Sequence, residues 1–395
     1  MRILLVAYFY EAAAGGGIIV ARLLREQLQA RGHTVDVLCL GGSPETQPDR
    51  MFRLELPTWM ADRSDRVRQT LLFLNNRIFD NWVLRRSLRV IPPQLRYDFV
   101  LGQDFLSVRV VRQLAARLSA PCGATLHDTL PQQVAVGAPN AFVRNVLRLL
   151  SQRRDQSLAP ELTRFKWLAA VSRHVGDSAL RWLQPSPPPL HIVYNPAPVA
   201  FTAVPPLEVP PTLRFLFVGR LSPEKGVDLL VEAFRKLPGE HRLTILGLAG
   251  SLAAAIHQAA AADPRIEVRA AVPYSEMPKV YAEHQVVCCP VMWDEPFGLT
   301  VLEGRVTRRV VIGTHRGGLP EILDGYPRAA LFHATGSDRV EHVDHLRQAL
   351  SQAEVLARAP LNEAHEAAFL KPFQLSTFAA TYERLIHEAV AKRGC

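Results

Sequence analysis

The chain has 395 residues, of which 48% are hydrophobic and 21% are charged. These shares lie near the globular averages of about 45–50% and about 25%, and the length favours two domains of roughly 150 residues or more. A largely disordered chain and a small disulfide-stapled scaffold are therefore excluded. The five cysteines form no Cys-x-x-Cys pair, which predicts a reducing compartment and no disulfide framework.

The net charge of +9 is concentrated in the first half of the chain. Residues 1–200 contain 25 Lys and Arg against 15 Asp and Glu, whereas residues 201–395 contain 21 against 22. This asymmetry predicts an anionic partner near the first domain: a membrane surface, a phosphorylated substrate or nucleic acid. No apolar run reaches the roughly 20 residues that a membrane-spanning helix needs.

The first forty residues follow a strand, turn, helix, strand pattern. Ile3–Phe9 is a short apolar run, Gly15–Gly17 follows it, and apolar residues then recur at helical spacing up to Leu28. Thr34–Leu40 is predicted as the second strand, which gives the start of a parallel sheet. The apolar start also resembles a signal peptide, but the unbroken helical pattern after it favours a buried strand.

Two amphipathic helices are predicted later in the first half, over Arg63–Val90 and Asn140–Arg154. Both place Leu, Phe or Trp on one side and several Arg on the other. Such helices either pack on a sheet or lie on a membrane surface, and the first interpretation is the commoner one.

Short Val/Ile/Leu-rich runs alternate with helical stretches after residue 212. The runs predict strands of a second doubly wound domain at 213–218, 243–246, 266–268, 286–289 and 310–312. Six prolines between 196 and 211 predict a hinge between the two domains. The predicted organisation is a first domain over 1–195, a Pro-rich hinge over 196–212, a second domain over 213–373 and a C-terminal helix over 374–395 that packs back on the first domain.

Two loops carry groups that could bind phosphate. The bare backbone of Gly15–Gly17 lets an anion approach a helix N-terminus, although this signal is weak by itself. A stronger signal is the pair Arg220 and Lys225, on the loop that leaves the strand at 215–218 and enters a helix. An Arg fork and a Lys point charge at this end of a strand can hold two phosphates together.

A third motif contains two carboxylates, Glu295 and Glu303, on either side of a predicted helix start. Pro296 and Gly298 open that helix, so its first amides can face an anion. Glu303 lies one turn into the helix and Glu295 lies before it, which predicts different roles for the two. A glycosidase also uses two carboxylates, but these flank one bond, whereas here a phosphate cradle lies between them.

Together these motifs resemble the signature of glycosyltransferase family 4, a family of retaining enzymes. The resemblance rests on Gly-Arg-x-x-x-x-Lys-Gly, and on two glutamates that are separated by seven residues and enclose Pro-Phe-Gly-Leu. Further similar segments are the first glycine loop, Gly32-His33, Ala170–Arg173, Val193–Asn195 and Gly317–Glu321. The resemblance covers essentially the whole chain. It implies an α/β fold of GT-B architecture, with two facing Rossmann-like doubly wound domains and an interdomain cleft.

The resemblance also implies how a nucleoside diphosphate sugar would be bound. Arg220 and Lys225 would bind its diphosphate, and Gly16 or Gly17 of the N-terminal acceptor domain would close over it. The amides around the sugar and phosphate in the C-terminal nucleotide-sugar domain would be those of Phe297, Gly298 and Leu299. Glu303 would bind the ribose hydroxyls.

Glu295 would hold hydroxyls of the donor sugar near the reacting carbon, and His127 would reach the transferred sugar. A lone His beside an Asp is more often structural, but the matching family context favours function here. Arg173 is a candidate acceptor-binding residue. The catalytic residues implied in this way are Glu295, His127, Arg220 and Lys225.

The sequence departs from the family pattern in two places. The small residues and Gly-x-Pro turn that usually follow the second glutamate are replaced by the segment 304–310, which contains Arg305, Arg308 and Arg309. Asn195 is followed by Pro196 rather than by the more usual glycine. No Asp-x-Asp motif occurs, which is consistent with a site that uses no metal and no cofactor besides the donor substrate.

The predicted function is a retaining, metal-independent hexosyltransferase of bacterial cell-surface glycan or glycolipid synthesis. Its acceptor would be a saccharide or a lipid-linked molecule. A cytoplasmic location is expected, with peripheral attachment to the anionic inner face of the membrane through the basic first domain. The alternatives are a nucleotide-sugar epimerase of similar fold, or a basic nucleic-acid-binding protein, which is disfavoured because no aromatic-basic module is recognisable. A dehydrogenase is disfavoured because Asp36 lies within the second strand and not at its end.

Overall fold

The computed structural model describes residues 1–10, 15–40, 50–55, 77–130, 141–248, 250–336 and 338–392. The chain divides into two compact units. The first unit comprises the described residues up to Pro196 and the C-terminal segment from Leu375, and the second runs from Ala197 to Gln374.

The first unit contains a parallel sheet covered by helices. Its strands are β1 (Arg2–Val6), β2 (Thr34–Leu40), β3 (Met51–Leu54), β4 (Phe99–Gly102), β5 (Cys122–Leu126), β6 (Trp167–Ala170) and β7 (Leu190–Ile192). They lie in the order β3-β2-β1-β4-β5-β6-β7. Its helices are α1 (Gly16–Ala30), α2 (Arg77–Val90), α3 (Val108–Arg117), α4 (Ala141–Leu162), α5 (Arg173–Trp182) and, at the end of the chain, α15 (Leu375–Ala391). Ile3 to Val6 are fully buried, as expected of a parallel strand with helices on both faces.

The second unit repeats this plan with six strands. These are β8 (Arg214–Arg220), β9 (Arg242–Leu248), β10 (Ile266–Ala270), β11 (Val286–Cys289), β12 (Val310–Thr314) and β13 (Ala329–Phe332). They lie in the order β10-β9-β8-β11-β12-β13, with every neighbouring pair parallel. Its helices are α6 (Val199–Thr202), α7 (Val227–Arg235), α8 (Ala253–Ala261), α9 (Met277–Ala282), α10 (Leu299–Val306), α11 (Leu319–Leu323), α12 (Arg339–Ser351), α13 (Ala353–Ala357) and α14 (Glu363–Leu370).

The structure corrects several predicted boundaries. The first strand ends at Val6 rather than Phe9, and the helix predicted over Asn140–Arg154 continues to Leu162. Of the helix predicted over Arg63–Val90, the part from Arg77 onward is helical, and residues 63–76 lie outside the described part of the chain. None of the helices in the described ranges is long and apolar enough to cross a membrane.

The Pro-rich stretch after Pro196 belongs to the second unit. It contains the short helix α6, and the Ala197 N–H donates a hydrogen bond of 3.0 Å to the carbonyl of Phe373. Arg309 Nη2 donates a bond of 3.0 Å to the Pro205 carbonyl. Most of the stretch predicted as a hinge over 196–212 is therefore attached to the second unit, and the division between the units lies at its start.

The C-terminal helix α15 packs on the first unit. The Trp167 indole N–H donates a hydrogen bond of 3.1 Å to the carbonyl of Leu385, and the Tyr382 hydroxyl lies 2.7 Å from Thr125 Oγ1. Phe378, Tyr382 and Leu385 are almost completely buried. The end of the chain thus completes the core that its beginning starts.

The arginine-rich segment after Glu303 forms a compact turn without the glycine expected from the family pattern. Arg308 takes the left-handed conformation with φ of 59°. The Arg305 guanidinium is fully buried, donates two bonds of 2.8 and 2.9 Å to Glu366, and lies 3.5 Å from the centre of the Phe369 ring. The turn before β12 is therefore retained with different chemistry.

Candidate functional site

The phosphate-binding loop predicted in the second unit leaves β8 and enters α7. Arg220 is the last residue of β8, and its side chain is 55% exposed. Arg220 forms an ion pair with the buried Glu224, in which Arg220 Nη2 lies 3.0 Å from Glu224 Oε1. Arg220 is thus held at one end while most of its surface faces solvent, as an anion-binding guanidinium requires.

Lys225 ends the short 3-10 turn of this loop, and the glycine that follows it fixes its position. Gly226 has φ of 67°, and a Cβ atom there would lie 1.9 Å from the Pro290 carbonyl oxygen. Only glycine fits this close approach. Gly226 therefore lets the loop pack against Pro290, with Lys225 beyond the carboxyl end of β8, where open parallel sheets bind ligands.

Lys225 is paired directly with Glu295. Its Nζ atom lies 2.5 Å from Glu295 Oε2 and 5.1 Å from the centre of the Trp293 ring. The Trp293 indole N–H donates a bond of 2.8 Å to the same Oε2 atom. Glu295 Oε1 makes no hydrogen bond with the described residues, so one carboxylate oxygen is anchored and the other is available to a ligand hydroxyl.

A glycine pair on another loop supports the backbone of Glu295. Gly317 has φ of 59°, and a Cβ atom there would lie 2.1 Å from the Glu295 carbonyl oxygen. The Gly318 N–H donates a bond of 2.8 Å to the same carbonyl. The loop between β12 and α11 therefore helps to hold the backbone of Glu295 in position.

Helix α10 begins immediately after Glu295-Pro-Phe-Gly. Gly298 is its N-cap, and Phe297 is 3% exposed, with its ring 6.2 Å from the Phe373 ring. The Val301 and Leu302 N–H groups donate to the Gly298 carbonyl at 3.0 and 3.1 Å, whereas helical geometry leaves the amides of Leu299 and Thr300, the first two helical residues, without intrahelical partners. These amides, with the positive end of the helix dipole, form a site that suits an anion.

Glu303 lies one turn into α10 and is 4% exposed. The hydroxyl of Tyr274 donates a bond of 2.7 Å to its Oε1, and that of Tyr281 donates one of 2.6 Å to its Oε2. Burial raises the pKa of Glu303 to about 7, although the two phenols stabilise the carboxylate. Each oxygen keeps one more lone pair for a ligand.

In the first unit, His127 directly follows β5 and contacts the start of α1. His127 Nε2 lies 3.2 Å from Gln103 Oε1, and a Cβ atom on Gly17 would lie 3.4 Å from the imidazole ring. Burial lowers the pKa of His127 to about 4, so the ring is neutral at physiological pH. Gly16 is the first residue of α1, and Arg173 is exposed at the first residue of α5.

Within each unit, the structure brings together part of the predicted residue set. Lys225 contacts Glu295 in the second unit, and in the first Gly17 lies close enough to His127 that an added Cβ atom would contact the imidazole ring. Sequence reasoning did not single out Trp293, Tyr274, Tyr281 and Gln103. Trp293 could have been predicted to contact Glu295, because it lies only two positions before it. Tyr274 and Tyr281 reach Glu303 from a separate segment, and their contacts could not be predicted from spacing.

Solved structures of similar fold place the chain in the GT-B class of two-domain α/β proteins. A sucrose-phosphate synthase from Thermosynechococcus elongatus aligns with 99% of this chain and 100% of its own, with a TM-score of 0.77 and 19% identity. The Anabaena protein Alr3699/HepE in complex with UDP aligns with 98% of this chain and 100% of its own, with a TM-score of 0.67 and 15% identity.

Two family descriptions match successive parts of the sequence. "Glycosyltransferase Family 4" matches residues 14–201, and "Glycosyl transferases group 1" matches residues 207–364. The chain belongs to glycosyltransferase family 4.

A D-inositol 3-phosphate glycosyltransferase from Xylanimonas cellulosilytica is 26% identical over 249 residues, which are 58% of this chain and 58% of the relative. An alpha-maltose-1-phosphate synthase from Mycolicibacterium smegmatis is 26% identical over 143 residues, which are 34% of this chain and 37% of the relative. The chain thus aligns with 37% and 58% of the lengths of these two relatives.

Proposed function

We propose that this protein transfers a sugar from a nucleoside diphosphate donor to an acceptor hydroxyl, with retention of anomeric configuration. One observation carries the proposal. Lys225, Trp293 and Glu295 form a fixed cluster in which a cation lies next to a carboxylate whose Oε1 atom is available. A phosphate and the sugar attached to it need such neighbouring groups.

The proposed chemistry concerns the diphosphate that leaves. Arg220, Lys225 and the first-turn amides of α10 would neutralise the charge that develops on it as the bond to the sugar breaks. Two cations and a helix dipole provide this charge without a metal ion, and metal independence is part of the proposal.

Glu295 and His127 would handle the sugar. Because Lys225 and Trp293 occupy Oε2 of Glu295, its Oε1 is suited to accept hydrogen bonds from sugar hydroxyls. His127 is held neutral by burial and is suited to bind another hydroxyl. Glu303 would accept hydrogen bonds from the ribose, since it still has acceptor capacity beyond its two tyrosine partners.

We further propose that the acceptor is anionic or linked to a lipid, and that the protein acts at the cytoplasmic membrane surface in bacterial glycan or glycolipid synthesis. The described faces of α2 and α4 support this, because exposed apolar and basic side chains lie together there. Leu88 is 37%, Val146 41% and Leu149 50% exposed, and Arg85 and Arg153 are also exposed. The name of the inositol phosphate relative also indicates an anionic acceptor for that protein.

The experiment that tests the transferase proposal is a panel of UDP-, GDP- and ADP-sugars, measured first by thermal shift and then by turnover. A ligand at 100 times its Kd stabilises the folded protein by about 2.7 kcal/mol, which is readily detected. NMR of the product with the active donor determines the anomeric configuration. Stabilisation by no nucleotide of the panel would contradict the proposal, and an inverted product would overturn retention.

A dehydrogenase would need an accessible carboxylate to bind the ribose of its dinucleotide, and Asp36 is not accessible. Asp36 is 2% exposed within β2, where its carboxylate accepts a bond of 2.8 Å from the Tyr97 hydroxyl. A carboxylate that binds a dinucleotide ribose must stand accessible at a strand end.

A further inference from the structure

A continuous chain of four polar side chains crosses the first unit and ends at His127. The Tyr382 hydroxyl lies 2.7 Å from Thr125 Oγ1, and Gln103 Nε2 donates a bond of 3.0 Å to the same Oγ1 atom. Gln103 Oε1 then lies 3.2 Å from His127 Nε2. Tyr382, Thr125 and Gln103 are 0%, 1% and 4% exposed, so solvent does not compete for these bonds.

The four residues come from separate elements that the sheet brings together. Gln103 follows β4 and Thr125 lies in β5, which pairs with β4 in parallel. His127 follows β5, and Tyr382 lies on α15, 257 residues from Thr125. Buried polar groups of this kind are nearly always hydrogen-bonded, and a network that satisfies them fixes their orientation.

The orientation of Gln103 determines what His127 can do. The Gln103 amide nitrogen is directed to Thr125, so its oxygen faces His127 Nε2 at 3.2 Å. In this orientation an amide oxygen can only accept, so a hydrogen bond between the two requires the proton to be on Nε2. In a neutral imidazole, a proton on one nitrogen leaves the other as an acceptor. The other nitrogen, Nδ1, makes no hydrogen bond with described residues, and a Cβ atom on Gly17 would lie 3.5 Å from it.

We propose that Gln103, Thr125 and Tyr382 are positioning residues that hold His127 as the Nε2–H tautomer and present Nδ1 as the acceptor for a sugar hydroxyl. This inference rests on the proposed function, in which His127 binds the transferred sugar. None of the three touches substrate. Their contribution is to fix the ring in one tautomer and one orientation before the sugar binds. The activation free energy of the transfer then need not include the free energy of ordering the ring.

The tautomer can be measured without any activity assay. Nitrogen-15 NMR of protein labelled at histidine distinguishes a protonated from an unprotonated ring nitrogen, and His127→Gln identifies the relevant signal among the 13 histidines. We expect wild-type His127 to carry its proton on Nε2. A proton on Nδ1 in the wild type would overturn the proposal.

Three variants test the network. Gln103→Leu removes the acceptor for Nε2–H, so we expect His127 to populate both tautomers and kcat to fall about tenfold or more, with the donor KM little changed. Gln103→Glu keeps an acceptor there, so at alkaline pH it should retain the Nε2–H tautomer while raising the pKa of His127. Tyr382→Phe removes only the far end of the network, and a smaller loss of kcat is expected.

Tyr326→Phe is the matched control, because Tyr326 is also buried and its hydroxyl donates to the Arg309 carbonyl in the second unit. It should lower stability without changing the His127 signal. An unchanged tautomer in Gln103→Leu, or equal effects of Tyr326→Phe and Tyr382→Phe on kcat, would overturn the proposal. If the wild type transferred no sugar, the transferase proposal would fail, yet the NMR result would still decide the tautomer.

Discussion

Lys225 Nζ lies 2.5 Å from Glu295 Oε2, so the cation assigned to the diphosphate is already paired with the carboxylate assigned to the sugar. A phosphate that binds Lys225 must share it with Glu295. If Glu295 binds the sugar as proposed, the pair links donor binding to the position of that carboxylate.

Replacing Glu295 with Gln should separate binding from catalysis. The variant removes the negative charge that competes for Lys225, so the Kd of the nucleoside diphosphate should be unchanged or tighter. We expect kcat to fall on the order of 100-fold or more, because the hydroxyl acceptor near the reacting carbon is weakened. Calorimetry and steady-state kinetics measure the two effects.

Glu224→Gln is the matched control for this prediction. Glu224 pairs with Arg220 at 3.0 Å but has no role assigned at the sugar. It should also leave diphosphate affinity unchanged or tighter, while turnover is retained. Weaker diphosphate binding in Glu295→Gln than in the wild type would contradict competition for Lys225, whatever Glu224→Gln does to diphosphate affinity through Arg220.

Arg220→Ala and Lys225→Ala should each weaken the binding of a nucleoside diphosphate much more than the binding of the bare nucleoside. The lost hydrogen bonds are charge-assisted and form only with phosphate. Their loss should reduce the binding free energy of the diphosphate by about 1.5–3 kcal/mol. Calorimetry with both ligands measures the difference. Lys236→Ala, an exposed lysine of the same unit, should change neither affinity. Equal losses for nucleoside and diphosphate would show that the two residues do not bind phosphate.

Glu303 should make nucleoside binding depend on pH. Ribose hydroxyls donate to the carboxylate, so binding needs its ionised form, and burial raises the pKa of this group to about 7. Nucleoside affinity should therefore increase as the pH rises toward 8, by about tenfold per pH unit well below that pKa. Glu303→Gln should bind more weakly at high pH and show a flat profile. A wild-type affinity that does not vary between pH 5.5 and pH 8 would rule out this role.

The same carboxyl group affects stability with a definite sign. Its pKa lies above the usual 4.5 in the folded state, so the folded protein holds more protons than the unfolded chain between about pH 4.5 and 7. Its contribution to stability therefore declines as pH rises through that window. Chemical denaturation at the two ends of the window should show a smaller decline in Glu303→Gln than in the wild type.

Arg308→Gly should stabilise the second unit by about 1 kcal/mol, because Arg308 occupies the left-handed region with φ of 59°. The ion pair that is lost, 2.7 Å from Glu363, is exposed and contributes little. Arg308→Ala is the control, since it removes the same ion pair but keeps a Cβ atom. Denaturation midpoints that place the Ala variant at or above the Gly variant would refute a strained turn.

The basic faces of α2 and α4 should bind anionic vesicles. Each basic residue near such a surface contributes about 1 kcal/mol, and salt screens the interaction. Replacing Arg85, Arg89 and Arg153 with Gln should release the protein from vesicles and leave donor affinity unchanged. The matched control replaces Arg235, Lys236 and Arg242, which are exposed in the second unit. Equal binding to neutral vesicles, or equal loss in both triple variants, would exclude this surface.

The sequence predicted the features of the site that depend on local order along the chain. Arg220 ends a strand and Lys225 lies on the loop after it, while Glu295 and Glu303 lie on either side of a helix start, so these positions could be predicted from the local sequence. The bond from Tyr382 to Thr125 spans 257 residues, and no periodicity or spacing predicts it. The left-handed Arg308 was equally hidden, because a pattern without glycine gives no indication that the turn persists.

The packing of α15 on the first unit has a consequence for synthesis of the protein. While the ribosome makes the first 374 residues, the indole N–H of Trp167 and the hydroxyl of Thr125 have yet to meet their partners Leu385 and Tyr382. The first unit therefore cannot complete its fold until the entire second unit has been synthesised, and part of its apolar surface stays uncovered until then. We expect the nascent chain to bind chaperones during that interval, and a stop codon directly before α15 would leave the first unit without the helix that completes its core.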